Sequence, residues 1–129
     1  MHTFFGTDGI RGCATTSPFL QPDFLQCLGA AIYRWAQEKT GNKKPTFAIG
    51  SDTRNSGKII AQSLIKGITS TGGICFDAGV LPTPALQHLI THHATHYQVG
   101  IMITASHNGP TDNGIKIALP WGKISTLDA

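Results

Sequence analysis

Charged residues are scarce in this sequence, and long apolar runs are lacking. Lysine, arginine, aspartate and glutamate together make up 13% of the 129 residues, and the formal net charge is +3. The only adjacent basic residues are Lys43 and Lys44, which leaves no basic stripe for nucleic acid and no polybasic patch for a membrane surface. The longest apolar runs, such as residues 99–103, are far shorter than the roughly 20 residues that span a bilayer. The sequence therefore predicts neither a nucleic-acid partner nor a membrane partner.

Cysteine is also rare, and no export signal is visible. The three cysteines, Cys13, Cys27 and Cys75, are odd in number and lack CxxC spacing. This pattern favours ordinary thiols in a reducing compartment over a disulfide framework. Residues 1–6 lack the basic start and the apolar segment of a secretory signal. We therefore expect a cytoplasmic protein.

What the sequence does contain is an alternation of short strand-like runs and amphipathic helical patterns. Apolar periodicity predicts three helices. One begins near Pro22, the second begins after Ser56 as its N-cap, and the third begins after Thr83 as its N-cap. Buried apolar runs predict strands at residues 46–50, 74–77, 99–104 and 115–119. This order predicts one α/β domain over residues 1–129, with a sheet of about four strands and helices packed on it.

Loops at residues 6–12, 50–57 and 104–116 combine glycine with charged side chains. Glycine lets the backbone approach a ligand, successive backbone amides in such turns bind anions, and arginine adds a bidentate partner for phosphate. In the second loop, we expect Asp52 and Arg54 to brace the loop or to contact another domain rather than to touch substrate. The three loops are therefore the candidate positions for chemistry on a phosphorylated ligand.

The third loop contains the best candidate nucleophile, Ser106, directly after a buried strand. His107 is its neighbour in sequence, and adjacent side chains of an extended chain point to opposite faces, so His107 is poorly placed as its base. The G-x-S-x-G elbow of many serine hydrolases is also absent. If the loop is a hairpin centred on Thr111, Lys116 lies opposite Ser106, with Cβ atoms about 5 Å apart. A cation beside a hydroxyl suits phosphoryl transfer better than hydrolysis.

Specific motifs carry a resemblance to a known family. FGTDGIRG at residues 5–12, GSDTRNSG at residues 50–57, TASHN at residues 104–108 and DNGIK at residues 112–116 resemble motifs of the α-D-phosphohexomutase superfamily. The first of them resembles the opening of bacterial phosphoglucosamine mutases. Order and spacing agree over essentially the whole chain. The resemblance implies a mixed sheet packed between helices, as in the first of the four domains of these enzymes, with the other three domains absent from this chain.

The resemblance also implies a reaction and a metal. Ser106 matches the phosphoserine that donates its phosphoryl group to a hexose phosphate substrate, so that a bisphosphorylated sugar forms and returns its other phosphoryl group. Mg²⁺ is implied as cofactor on phosphorylated Ser106, with three aspartate ligands from a second domain. The implied partners are thus the hexose phosphate and the other domains of the same enzyme, and the isolated chain is expected to be inactive.

Further residues match positions near the transferring phosphoryl group. Arg11, Lys116 and His107 match catalytic residues, with Lys116 as general acid/base, and His107 also matches a neighbour that lines the loop around Ser106. Thr7, Arg11 and Asn108 match positions that bind substrate. These roles are implied by the resemblance alone.

The sequence departs from the family at one position and leaves alternatives open. The family loop usually has proline directly after the asparagine, whereas here Gly109 takes that place and Pro110 follows, with the loop length unchanged. Glycine leaves φ free where proline would fix it. A phosphomannomutase or phosphoglucomutase domain, and a truncated non-catalytic domain that binds a sugar phosphate or another chain, are the alternatives.

Overall fold

The computed structural model describes residues 10–105, 109 and 111–124. The chain forms a layered arrangement of strands and helices in this order: β1 (Ile10–Cys13), a 3-10 turn (Pro18–Leu20), α1 (Pro22–Thr40), β2 (Thr46–Ser51), α2 (Gly57–Ser70), β3 (Ile74–Val80), α3 (Thr83–His92), β4 (Val99–Ile103), β5 (Asp112–Leu119) and β6 (Gly122–Ile124). All the predicted helices and strands are present.

The strands form one mixed sheet. Its order is β1-β5-β4-β2-β3, and β6 also pairs with β5. β2 runs parallel to β3 and β4, whereas β5 runs antiparallel to β1, β4 and β6. The predicted α/β class and mixed sheet are confirmed, but the sheet has six strands rather than about four. The two additional strands, β1 and β6, have four and three residues, too few to show an alternating pattern.

Helices cover both faces of the sheet. On one face, Phe47, Ile49, Ile101 and Ile103 pack in a buried cluster that includes the apolar sides of α1 and α2. On the opposite face, a smaller cluster joins β2 and β4 to α3 through four buried residues, which are Ala48, Leu86, Ile90 and Met102. Every residue of β4 is buried, as expected for a strand covered on both faces.

Helices α1 and α2 approach each other closely through glycine. A Cβ added to Gly67 would lie 2.1 Å from the backbone oxygen of Gln26, and one added to Gly29 would lie 2.5 Å from the backbone oxygen of Leu64. Only the absence of side chains at these two positions allows this backbone contact. The helix pair thereby forms a tight layer behind the sheet.

Two helix starts differ from the prediction. Thr83 is the first residue of α3 and Pro82 occupies the N-cap position, so Thr83 is not the cap. Ser56 does occupy the N-cap position of α2, but its backbone is αR and its hydroxyl caps none of the described backbone amides. That hydroxyl instead accepts a hydrogen bond of 2.8 Å from Nδ2 of Asn113. No helix in the described part of the chain is long and apolar enough to cross a membrane.

Candidate functional site

Two of the predicted loops meet at one edge of the sheet. Ser51 at the end of β2 is paired with Ile103 at the end of β4, and these strands are parallel. The chain therefore leaves both strands at the same edge, which is where α/β proteins usually bind ligands. The backbone amide of Asp52 continues the contact by donating to the carbonyl oxygen of Ile103 over 3.2 Å.

Asp52 and Arg54 connect the two loops through their side chains. Thr104 Oγ1 donates to Asp52 Oδ2 over 2.6 Å, and Arg54 Nε donates to the same oxygen over 3.0 Å. The backbone amide of Arg54 donates to Asp52 Oδ1 over 3.1 Å. Arg54 Nη1 donates to the carbonyl oxygens of Gly109 over 2.5 Å and of Asp112 over 3.4 Å. The contacts confirm the predicted role of this pair in bracing loops.

The carboxylate of Asp52 is held in its charged form by these contacts. Burial alone would raise its pKa, but hydrogen bonds from the Thr104 hydroxyl and from the Arg54 backbone amide and guanidinium, together with the Arg54 charge, lower the pKa below its ordinary value. The side chains are 10% exposed for Arg54 and 28% exposed for Asp52. The ion pair is therefore partly buried, and salt and water screen it less than they screen an open surface pair.

Asn113, near the start of β5, is a further residue at this site, and the sequence predicted no role for it. It is fully buried, donates from Nδ2 to Ser56 Oγ, and accepts at Oδ1 from the backbone amide of Gly114 over 2.9 Å. The side chain thus ties the start of β5 to the start of α2. A lone asparagine in a glycine-rich loop gives no sequence signal for a contact with a residue 57 positions earlier.

The predicted opposition of Lys116 and Ser106 is wrong. Lys116 is paired with Met102 in the antiparallel register of β4 and β5, and Ile115 is paired with Ile103. Position 106 lies four residues after Met102 along the chain. The register continues beyond β4, because the Thr104 amide donates to the Gly114 carbonyl oxygen over 3.0 Å. The loop is consequently centred nearer Gly109 than Thr111, the centre that the prediction assumed.

Lys116 itself lies on the α3 face of the sheet. It lines a small cavity with Met102 of β4 and with Thr83 and Leu86 of α3. The backbone of Arg11 lies beside β5 and is paired with Gly114, two residues before Lys116. The backbones of these two candidate residues therefore share one part of the sheet. The other candidates, Thr7, Ser106, His107 and Asn108, lie outside the described residues.

The described residues do not form a magnesium site by themselves. No group of three or more His, Cys, Asp or Glu side chains within residues 10–105, 109 and 111–124 is arranged to hold a metal ion. Mg²⁺ prefers six oxygen ligands, usually including carboxylates and waters. Both oxygens of Asp52, a carboxylate at this edge, already accept hydrogen bonds from Thr104 and Arg54. The implied Mg²⁺ therefore does not fit the described side chains alone.

Comparison with known proteins adds a family and several relatives. The family described as phosphoglucomutase/phosphomannomutase, alpha/beta/alpha domain I, matches residues 2–126. A phosphoglucosamine mutase of Symbiobacterium thermophilum is 44% identical over 116 residues, covering 90% of this chain and 25% of the relative. One of Magnetococcus marinus is 46% identical over 122 residues, covering 92% of this chain and 24% of the relative. This chain thus spans about a quarter of the length of the curated relatives it matches.

A solved structure shares the arrangement. The crystal structure of a putative phosphomannomutase from Thermus thermophilus superposes with a TM-score of 0.73 at 29% sequence identity. The match covers 90% of this chain and 25% of that protein. The similarity in sequence and the similarity in structure therefore extend over nearly the same share of the chain.

Proposed function

The chain belongs to the phosphoglucomutase/phosphomannomutase family, and on that basis we propose that it is the phosphoserine-bearing domain of a phosphoglucosamine mutase. The observation that carries this proposal is the name shared by relatives that are 38–46% identical over at least 90% of the chain. The proposed reaction interconverts glucosamine 6-phosphate and glucosamine 1-phosphate through a bisphosphorylated sugar. Three further domains, supplied outside these 129 residues, are part of the proposal, and so is a location in the cytoplasm.

The proposed chemistry is transfer of one phosphoryl group in each direction. A sugar hydroxyl oxygen attacks the phosphorus on Ser106, so that an O–P bond to the sugar forms while the Oγ–P bond of Ser106 breaks. The proton of the sugar hydroxyl passes to Ser106 Oγ, with Lys116 proposed as its carrier. The bisphosphorylated sugar then turns over and returns its other phosphoryl group to Ser106 by the reverse step.

Phosphoryl transfer depends mainly on positioning and on neutralising charge. We assign charge neutralisation to Arg11 and binding of the sugar phosphate to Thr7, Arg11 and Asn108, with His107 lining the loop. The assignment of Lys116 rests on the shared DNGIK motif, since the register of β5 removes the argument from direct opposition to Ser106. The Mg²⁺ that the family resemblance implies is included with the phosphate on Ser106 as the one ligand from this chain.

A second candidate is the same reaction on another hexose phosphate. The Thermus thermophilus protein with the same fold is described as a putative phosphomannomutase, which favours mannose phosphate as the alternative substrate. The matched family includes both phosphoglucomutases and phosphomannomutases, so membership alone does not select the sugar. The choice between substrates is therefore an outcome of the experiment.

The experiment uses the gene product at its native length, purified from its own host. Peptide mass spectrometry measures phosphate on Ser106, and a coupled assay compares glucosamine, mannose and glucose 6-phosphates in the presence of Mg²⁺ and a hexose bisphosphate. We expect a phosphorylated Ser106, fastest turnover of glucosamine 6-phosphate and loss of activity in Ser106→Ala. The matched control is Ser70→Ala, at an exposed position at the end of α2, which we expect to retain activity.

Three results would redirect or contradict the proposal. A higher kcat/KM for mannose 6-phosphate than for glucosamine 6-phosphate would favour the second candidate. An unmodified Ser106 together with no isomerisation of any of the three sugars would contradict a mutase and favour a non-catalytic domain that binds a sugar phosphate. Undiminished activity in Ser106→Ala would contradict the proposed chemistry directly.

A further inference from the structure

The Arg54–Asp52 ion pair contacts both ends of the loop that follows β4. We call residues 104–111 the serine loop, because it connects β4 to β5 and includes Ser106. At its start, Thr104 donates to Asp52, which Arg54 also contacts. At its end, the Gly109 and Asp112 carbonyl oxygens accept from Arg54 Nη1. Arg54 and Gly109 are separated by 55 positions in the sequence.

The geometry requires arginine rather than any cation. Nε is directed to the Asp52 carboxylate and Nη1 to the two carbonyl oxygens, so two different nitrogens of one planar group are used. Lysine offers a single ammonium nitrogen on a flexible stem and cannot reproduce this fork. Hydrogen bonds from an ionised donor are also about twice as strong as neutral ones. The charge and the shape of Arg54 therefore both contribute to holding the loop.

Asp52 aims the guanidinium. Its carboxylate accepts at both oxygens and fixes the backbone and the side chain of Arg54 together. The same carboxylate holds Thr104 through the shortest of its contacts, 2.6 Å. The pair is partly buried, so water competes less for these bonds than it would on an open surface.

With glycine at position 109, the serine loop depends more on contacts such as those of Arg54 than a loop with proline at that position would. Proline would restrict φ at that residue, and Gly109 does not. The carbonyl oxygen of Gly109 accepts both from Arg54 Nη1 and from the Asp112 backbone amide, the latter over 3.0 Å. The contact from Arg54 supplies from outside the loop some of the restriction that glycine removes from inside it.

We propose that Arg54 is a positioning residue that acts together with Asp52: Asp52 holds the start of the serine loop through Thr104, Arg54 holds its end through the Gly109 and Asp112 carbonyl oxygens, and the pair thereby sets the position of Ser106 for phosphoryl transfer. This inference rests on the function proposed above. Arg54 acts through the loop backbone and is assigned no contact with substrate. Its effect is expected in the transfer step, since a misplacement of about 1 Å in a reacting group costs about a hundredfold in rate.

The first test measures the loop itself in the native-length protein. Arg54→Lys keeps the positive charge and removes the fork, and Arg34→Lys, at an exposed position of α1, is the matched control. Hydrogen exchange read by mass spectrometry follows the backbone amides of Thr104 and Asp112, which are hydrogen-bonded in the folded loop. We expect exchange there to rise about tenfold or more in Arg54→Lys, because one to two charge-assisted bonds are weakened. Unchanged exchange would overturn the inference, whatever the enzyme's activity.

The second test measures catalysis with the same variants. We expect Arg54→Lys to lower kcat about a hundredfold with a much smaller change in the KM for glucosamine 6-phosphate. Rapid-quench transfer from phosphorylated Ser106 to sugar should slow by the same factor. A variant that merely unfolds would lower the active fraction, and transfer in the remaining phosphorylated enzyme would keep its rate. That result would overturn the inference.

The two tests also separate this inference from the proposed function. Asp52→Asn is expected to follow Arg54→Lys in both measurements with a smaller effect, since the amide keeps the shape and loses the charge. If the wild-type protein isomerises no hexose phosphate, the proposed function fails. The exchange experiment then still decides whether Arg54 holds the loop.

Discussion

Replacing Asn113 by alanine should destabilise the domain well beyond the usual surface substitution. Asn113 is fully buried and makes two hydrogen bonds, from Nδ2 to Ser56 Oγ and at Oδ1 from the Gly114 amide. Alanine leaves the buried Gly114 amide without that acceptor, which costs about 1–3 kcal/mol. Loss of the bond to Ser56 adds about 0.5–1.5 kcal/mol. We therefore expect the free energy of unfolding to fall by about 1.5–4.5 kcal/mol.

Urea denaturation followed by circular dichroism measures this difference. With an m-value of about 1–3 kcal/mol per molar urea, the midpoint should move down by about 0.5 M or more. Asn55→Ala is the matched control, because Asn55 is exposed in the neighbouring loop and a surface substitution usually changes stability by less than about 0.5 kcal/mol. Equal midpoints for the two variants would refute the reasoning that Asn113 ties β5 to α2. A lower m-value in Asn113→Ala would instead signal a change of the unfolded or native ensemble and would require a second probe.

Three further predictions concern packing and titration. Gly67→Ala should lower stability by about 1–3 kcal/mol despite a helix-propensity gain of about 1 kcal/mol, because its Cβ would lie 2.1 Å from a backbone oxygen of α1. Thermal melting measures this loss, and Gly109→Ala is the control, because no described atom lies within 4 Å of a Cβ added there. A Gly67→Ala variant that melts at a higher temperature than wild type would contradict the close contact. The lowered pKa of Asp52 means that its contribution to stability is present above the unfolded pKa, near 4, and is lost as pH falls through the lower folded pKa. Wild type should therefore lose more stability than Asp52→Asn between pH 6 and pH 3 in urea titrations, and parallel losses would contradict this. Hydrogen bonds from the hydroxyls of neighbouring threonines lower the pKa of Cys13 to about 7, whereas burial raises the pKa of Cys75 to about 12. Because the thiolate is the reactive form, iodoacetamide at pH 7.5 should label Cys13 and spare Cys75. Peptide mass spectrometry measures the labelling, and equal labelling of the two thiols in the folded protein would contradict this prediction.

The elements that the sequence predicted well are those with a strong local pattern. β4 could be recognised because it is a run of apolar and small residues, and all of them are buried in the structure. The start of α1 could be recognised because Pro22 is its first residue, a position that suits proline. β1 and β6 carried no comparable pattern, because their place in the sheet is decided by pairing with β5.

The strand ends at the candidate site could be predicted from the sequence, but the register of β4 and β5 could not. Loops at the ends of β2 and β4 were expected to carry the chemistry, and the parallel pairing of those strands brings them together. The register error has a physical cause, since a hairpin of this length has several possible turns and local residues do not choose between them. The hydrogen bonds that accompany the observed register come from Arg54, far earlier in the chain.

Ser56 and Asn113 illustrate the same limit at a second position. A serine before an apolar helix predicts a local cap, and the helix does begin at the next residue. The serine hydroxyl, however, has a partner 57 positions away, and the αR backbone of Ser56 does not direct it to the helix amides. A local rule thus placed the helix start correctly while assigning the wrong partner. The residues that hold the serine loop and the start of β5 are all of this kind: their types have ordinary local explanations, and only the packed sheet shows that they act across the fold.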